Sequence, residues 1–173
     1  MCADESKDNP ALRRLYQADQ TDRQGFPKAE QQRGLLIERD RRRIQAVHDA
    51  IAGGELNTAA DFYHAAMILQ HSRVLEDIVQ AGKLAGRAMA LAEKGSSLYC
   101  QARWLTAAAD DRSRMYQGQP QRYGTQFVHN EETGRWELYR LDQQAVSDAD
   151  RREHGIDLEQ IQKTLEELNA ASQ

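Results

Sequence analysis

Apolar residues recur at the spacing of amphipathic helices over most of this chain. Ile37, Ile44, Val47 and Ile51 form one stripe, Ile68, Leu75 and Ile78 a second, and Leu98, Ala102, Leu105, Ala109 and Tyr116 a third. Local signals bound the segments. Asn9-Pro10 supplies a cap and a first-turn proline for an opening helix that ends before Gly25-Phe26-Pro27. The second predicted helix runs from about Lys28 to Ala52 and stops at Gly53-Gly54. The third starts after Asn57-Thr58 and runs to about Gln80, a shorter fourth covers 83–93 before Gly95, and the fifth covers 97–117.

Beyond residue 124 the period shortens. "TQFVHNEETGRWELYRL" holds two strand-like runs around Asn130 to Gly134, which predicts a hairpin. Ser147, with Asp150 three residues on, predicts a capped helical turn. "IDLEQIQKTLEELNAA" predicts a closing helix with Leu158, Ile161, Leu165 and Leu168 on one face. The expected fold is mainly α: a bundle or helical-hairpin array of five to six helices with a small C-terminal β-hairpin. Residues 1–8 read as a flexible N-terminal tail and 9–173 as a single domain, since 173 residues suffice for one core.

Ionisable residues interrupt the apolar stripes. Asp40 falls between Ile37 and Ile44, His64 and His71 fall on the third helix's stripe two turns apart, and Arg112 falls on the fifth's. On the first helix, Leu12 and Leu15 or Tyr16 lead toward Asp19 and Asp22. An isolated buried charge costs several kcal/mol, so these groups are expected to pair with one another. The expected network joins Asp22, Asp40, His71 and Arg112, with His64 and Arg23 as further members. A histidine in such a setting titrates near neutrality, and arginine offers carboxylates a planar fork.

Composition limits the function classes. Net charge is −4 and pI about 5.7, which disfavours a nucleic-acid partner. No apolar run approaches a membrane span. Two cysteines make no disulfide framework; Cys100 reads as a small buried or half-buried side chain. Cys2 leaves two readings open, an ordinary cytoplasmic N-terminus or the acylated residue of a mature envelope lipoprotein. Two histidines and a carboxylate would suit a metal, but seven residues separate His64 from His71, so no metal site is assigned and the cofactor stays unknown. "RDRRR" at 39–43, flanked by Glu30 and Glu38, reads as a solvated helix face, and Trp104 and Trp136 as core or hairpin-packing residues. No nucleophile elbow, Walker loop or dinucleotide fingerprint is present.

Five segments, "DQTDR" (19–23), "AAMILQHS" (65–72), "LTAAADDR" (105–112), "PQRYGTQF" (120–127) and "VSDADRREHGI" (146–156), occur in that order. Together they resemble a bacterial domain-of-unknown-function family with a DQxDR segment, a QH helix, a helix ending in DR, a Q-x-YGTQ loop and a D-x-x-R turn. The resemblance covers about residues 10–158. It marks Asp22, Arg23, Gln70, His71, Asp111, Arg112, Gln121, Tyr123, Gly124, Thr125, Gln126, Asp148 and Arg151. The family implies no stated activity; secretion or lipoprotein signals are frequent among its members. The alanine-rich segment 81–109 is also similar to a single Sel1-type repeat and reads as helix-hairpin packing.

Three functions fit these residues. A small-molecule enzyme, a hydrolase or lyase, would use His71 as acid or base, oriented by Asp22 or Asp40, with Arg23 or Arg112 on an anionic group and Tyr123, Thr125 and Gln126 closing the pocket. A non-catalytic module would bind a small anionic or polar ligand or a peptide in the same pocket. A structural protein would use the network only to fix helix register.

Overall fold

The computed structural model describes residues 7–24 and 30–171; Cys2 lies outside them. Seven helices and one hairpin follow in chain order among these residues: α1 (Pro10–Asp22), α2 (Glu30–Ala52), α3 (Ala59–Gln70), α4 (Leu75–Leu91), α5 (Ser97–Tyr116), β1 (Phe127–Asn130), β2 (Arg135–Leu138), α6 (Asp148–Glu153) and α7 (Leu158–Ala171). The mainly helical class with a small hairpin near the C-terminus is thus the observed one.

The helix ends follow their capping residues. The Asn9 side chain accepts from the backbone N–H groups of Ala11 and Leu12. Thr58 with Asp61, and Ser147 with Asp150, form capping boxes, and Ser96 caps α5. Asp61 does more than cap. Its buried carboxylate also accepts from the Asn9 N–H at 2.6 Å, which pins the start of α1 to the start of α3.

One boundary differs from expectation. The third helix does not run to Gln80 but ends at Gln70, and α4 begins at Leu75. The Ser72 hydroxyl accepts from the Val74 N–H at 3.1 Å and donates to Asp77 at 2.6 Å, so side chains satisfy the corner. Ile68, Leu75 and Ile78 keep a seven- and a three-residue spacing across the break, so periodicity alone could not reveal it.

The core is a stack in which α4 packs on both α3 and α5. Ala81, Ala85 and Ala88 of α4 and Ala102, Ala108 and Ala109 of α5 are all buried. Such short side chains let the two backbones approach closely, which is the hairpin packing expected of the alanine-rich segment. Helix α1 and the C-terminal half of α2 close the other side through Leu12, Val47 and Ala50. At 1.5 Å per residue, the 23 residues of α2 extend about 34 Å, well beyond the 13 of α1. Its N-terminal half therefore overhangs, leaving Leu35 52% and Ile37 43% exposed. Trp104 and Cys100, expected inside, both lie on the outward face of α5.

The hairpin pairs Phe127 with Leu138 and His129 with Trp136. Its outer edge is covered by α7, where the Asn169 amide accepts from the Trp136 N–H at 2.7 Å and donates to the Trp136 carbonyl at 2.9 Å. Both main-chain groups that would otherwise offer an open edge are thereby satisfied.

Helix α7 also touches the loop before β1. Gly124 has φ +98°, and a Cβ there would stand 2.8 Å from Leu158 Cδ2. Gly124→Ala is therefore expected to destabilise by about 1–3 kcal/mol, combining a left-handed backbone cost with a clash. Urea unfolding of both proteins measures this.

Candidate functional site

Three carboxylates and three guanidinium groups meet where the C-terminal end of α1 crosses the middle of α2. Arg23 binds Asp19 at 2.6 Å and Asp40 at 2.8 Å. Arg43 binds Asp40 at 2.9 Å, makes a short contact with Asp22 and approaches Asp19 to 4.0 Å. Arg39 closes the set on Asp22 at 2.6 Å. Charges of both signs are equal in number, which makes enclosure of Asp19 (0% exposed) and Arg43 (6%) tolerable. Burial alone raises the Asp22 pKa, but the hydrogen bond and charge of Arg43, then those of Arg39, outweigh it and hold the group below its ordinary value.

His71, the C-cap of α3, adds an imidazole. Its Nδ1 lies 3.2 Å from the Asp19 carboxylate. Its other face borders a cleft of about 260 Å³ at the α3–α4 corner, with Ile37, Ile44 and Val74 as apolar wall and Asp40, His71 and Asp77 as polar groups. Asp77 is already engaged, accepting from Ser72 and lying 2.8 Å from His48 Nε2. The carboxylate, not the imidazole, sits between the other two residues, so Ser72 has no base to make it a nucleophile. Ser72, Asp77 and Arg73 lie on or beside the corner that periodicity did not show.

The loop 118–127 is organised around a different carboxylate. Asp111 of α5, 0% exposed, accepts five hydrogen bonds. They come from the successive N–H groups of Arg122 (2.7 Å), Tyr123 (2.9 Å), Gly124 (2.9 Å) and Thr125 (3.0 Å), and from the Thr125 hydroxyl (2.8 Å). The buried Gln121 amide accepts from the Gln126 N–H and donates to the Gln126 and Tyr139 carbonyls. Arg151 of α6, 2% exposed, donates to the Arg122 carbonyl through Nε and Nη2 and binds Asp148 at 2.9 Å. The Tyr123 ring packs against His154 at 4.9 Å.

The expected single pocket thus resolves into two polar assemblies. Asp22, Arg23, Asp40 and His71 come together as expected, with Asp19, Arg39 and Arg43 added. Arg43 was expected to be solvated with the rest of "RDRRR". Instead it faces inward, at the i+3 position from Asp40 and i−4 from the buried Val47, whereas Arg41 and Arg42 do pair with Glu38 outside. Asp111, Gln121, Tyr123, Thr125, Gln126, Asp148 and Arg151 form the second assembly, and none of them lines the His71 cleft. The loop expected to cover that cleft is instead folded inward on Asp111. Gln70 and Gln126 link the two assemblies, both donating to the Ala108 carbonyl, at 3.1 and 3.3 Å.

Two residues leave the expected network. His64 stacks on Tyr16 at 4.5 Å, with its buried Nδ1 unpartnered among the described residues, and does not meet His71. Arg112 makes no ion pair with Asp22 or Asp40; its guanidinium lies 5.5 Å over the Tyr116 ring and its buried Nε has no partner among the described residues. Both residues sit on the expected stripes, but neither side chain reaches the α1–α2 crossing. Among the described residues no three His, Cys, Asp or Glu side chains are gathered as a metal ion requires, and no helix is long and apolar enough to cross a membrane.

No family model matches the chain, and neither a curated protein nor a solved structure matches it. The resemblance to the domain-of-unknown-function family therefore rests on its five sequence segments alone.

Asp111→Asn keeps one acceptor but turns an NH2 group toward donors, so a loss on the order of 3 kcal/mol is expected. Native-state hydrogen exchange should show the Arg122–Thr125 amides losing protection first. His64 gives a pH signature. Burial, the largest influence, and Arg13 depress its pKa against the raising pull of Asp61 and Asp8. A depressed imidazole contributes stability that is complete above the unfolded value of about 6.5 and is lost as pH falls through the folded value. His64→Phe should flatten the decline in thermal midpoint below about pH 6.5.

Proposed function

We propose that the protein handles a small polar molecule in the cleft at the α3–α4 corner, with His71 as its proton-transfer group. The observation that supports this reading is the pairing of His71 Nδ1 with buried Asp19 at 3.2 Å on the wall of that cleft. With Nδ1 engaged, Nε2 is the nitrogen available to a ligand. Asp19 itself is held in place by Arg23, and a fixed carboxylate beside Nδ1 orients the ring so that Nε2 can carry a proton to or from a ligand. Hydrolytic or elimination chemistry suits such a group.

A binding module without catalysis is the second reading, and one observation favours it. Asp40 is held by Arg23 and Arg43, and Asp77 by Ser72 and His48, so neither carboxylate is poised as a second proton carrier opposite His71. In both readings the "QRYGTQ" loop supports the cleft from behind, through the carbonyl that Gln126 shares with Gln70, the neighbour of His71. We place the protein in the cytoplasm; attachment to a bacterial envelope through Cys2 is the alternative, which labelling with an alkyne-tagged fatty acid would reveal.

The test is metabolite capture from a cell extract on the full chain, followed by turnover and affinity measurements with the captured compound. His71→Ala should keep the wild-type thermal midpoint within a few degrees. An enzyme should lose turnover by about 10²–10⁴-fold in this variant, as expected for removal of an acid–base group. A binder should lose affinity by about tenfold, the equivalent of one hydrogen bond to a charged group. A well-folded His71→Ala protein with unchanged turnover and affinity would leave only the structural role.

A further inference from the structure

The α3–α4 corner breaks two local rules at one residue. Val74 occupies the N-cap position of α4 with the extended backbone of a cap residue, φ −103° and ψ 126°, yet its side chain caps nothing. Serine, threonine, asparagine or aspartate there would satisfy an orphan N–H and stabilise the helix. The starts of α1, α3 and α5 are capped in that way, by Asn9, Thr58 and Ser96. The valine is also 51% exposed, so the core gains little from it. Its side chain lines the His71 cleft instead, together with Ile37, itself 43% exposed, and Ile44, which is backed by the core. Three branched hydrocarbon side chains from two separate elements thus line one concavity, and two of them are left exposed. Departures from local rules without a packing gain concentrate at functional positions.

The polar groups of the wall narrow the ligand further. Asp40 is held by Arg23 and Arg43, and Asp77 by Ser72 and His48, so a cation would find no free carboxylate there. Arg41 and Arg73 line the same cleft and favour a negative charge in it. At about 260 Å³ the cleft is smaller than the pockets that hold drug-sized molecules, roughly 300–1,000 Å³. We infer that the cleft takes a small amphipathic carboxylate whose short hydrocarbon body lies against Ile37, Ile44 and Val74, and that Val74 sets the preference for that body. This accounts for the unused cap. A hydroxyl at position 74 would stabilise α4 but would lose its water to the ligand's hydrocarbon without a new hydrogen bond. The inference rests on the reading above that the ligand occupies this cleft, and adds the ligand's chemical class.

The test titrates acetate, butyrate and hexanoate, with hexylamine as the cationic counterpart, into the full chain at constant ionic strength. The methyl NMR resonances of Ile37, Ile44 and Val74 report binding. Affinity should rise about threefold to fourfold per added methylene, and hexylamine should bind more weakly than hexanoate. Val74→Thr should weaken hexanoate about threefold or more. The same variant should melt at or above the wild-type temperature, the opposite of what a merely structural valine would show. Ile37→Thr, a second exposed position on the wall, should weaken hexanoate similarly and serves alone should Val74→Thr fail to fold. Val79→Thr, the same change on an exposed valine of α4 outside the cleft, should leave the affinity unaltered. Affinity independent of chain length, tighter binding of hexylamine than of hexanoate, or wild-type hexanoate affinity in the Val74 and Ile37 variants would overturn the inference. A captured metabolite whose affinity falls in His71→Ala, in a protein with no preference for longer chains, would keep the proposed function and reject the amphipathic ligand. Chain-length-dependent binding that weakens in Val74→Thr, with full affinity and turnover in His71→Ala, would keep the amphipathic ligand and reject His71 as the proton-transfer group.

Discussion

A single buried carboxylate holds the last third of the chain to the helical body. Asp111 stands on α5, the helix that packs against α4, and takes the N–H groups of four consecutive loop residues and one hydroxyl. Those amides would otherwise be enclosed without partners, and a buried donor left unmatched costs roughly 1–3 kcal/mol. The loop conformation fixed in this way presents the Arg122 carbonyl to Arg151, the bare Gly124 backbone to Leu158, and Gln121 to the Tyr139 carbonyl just beyond β2. Asp111 thus helps to position hairpin, α6 and α7, together with the Arg103–Glu153 ion pair between α5 and α6 and the Gln126 contact to the Ala108 carbonyl. Asp61 acts likewise at the other end of the molecule, where its carboxylate joins the entry of α1 to the cap of α3.

Charge balance separates the two halves of the polar interior. Around the α1–α2 crossing, Asp19, Asp22 and Asp40 are matched by Arg23, Arg39 and Arg43, so the set is closed and neutral. His71 meets the set at its edge, through Asp19. On the α5 side Asp111 is spent on backbone amides, and Arg112 lies over the Tyr116 ring with no ion pair among the described residues.

Much of the site is legible in the order of residues alone. Asp40 and His71 break apolar stripes, and the segment DQTDR carries Asp22 and Arg23 to the cluster they help form. Arg43 is hidden by its setting, since three consecutive arginines look alike in sequence while only one of them points inward at the i+3 position from Asp40. Asp19 is visible on the α1 stripe as the residue next in register after Leu12 and Tyr16, yet its role as the partner of His71 depends on the angle at which α3 ends. Arg112 shows the converse: it shares a face with Ala102, Leu105 and Ala109, but a face says nothing about which helix lies opposite.

Most helix ends, the hairpin and the closing amphipathic helix were all set by local chemistry: capping side chains, glycine stops and the switch from a 3.6 to a 2-residue period. These depend on residues a few positions apart, so the chain records them directly. The corner at His71–Val74 escaped because helical spacing continues across it in register. Which polar groups pair was decided only by packing, since Asp19 with His71 and Asp111 with Thr125 join residues 52 and 14 positions apart. Electrostatic pairing follows distance in space. In the polar loop 118–127, whose side chains in sequence suggest ligand contacts, Gln121 therefore serves the loop's own backbone, Thr125 serves Asp111 and Gln126 the Ala108 carbonyl of α5.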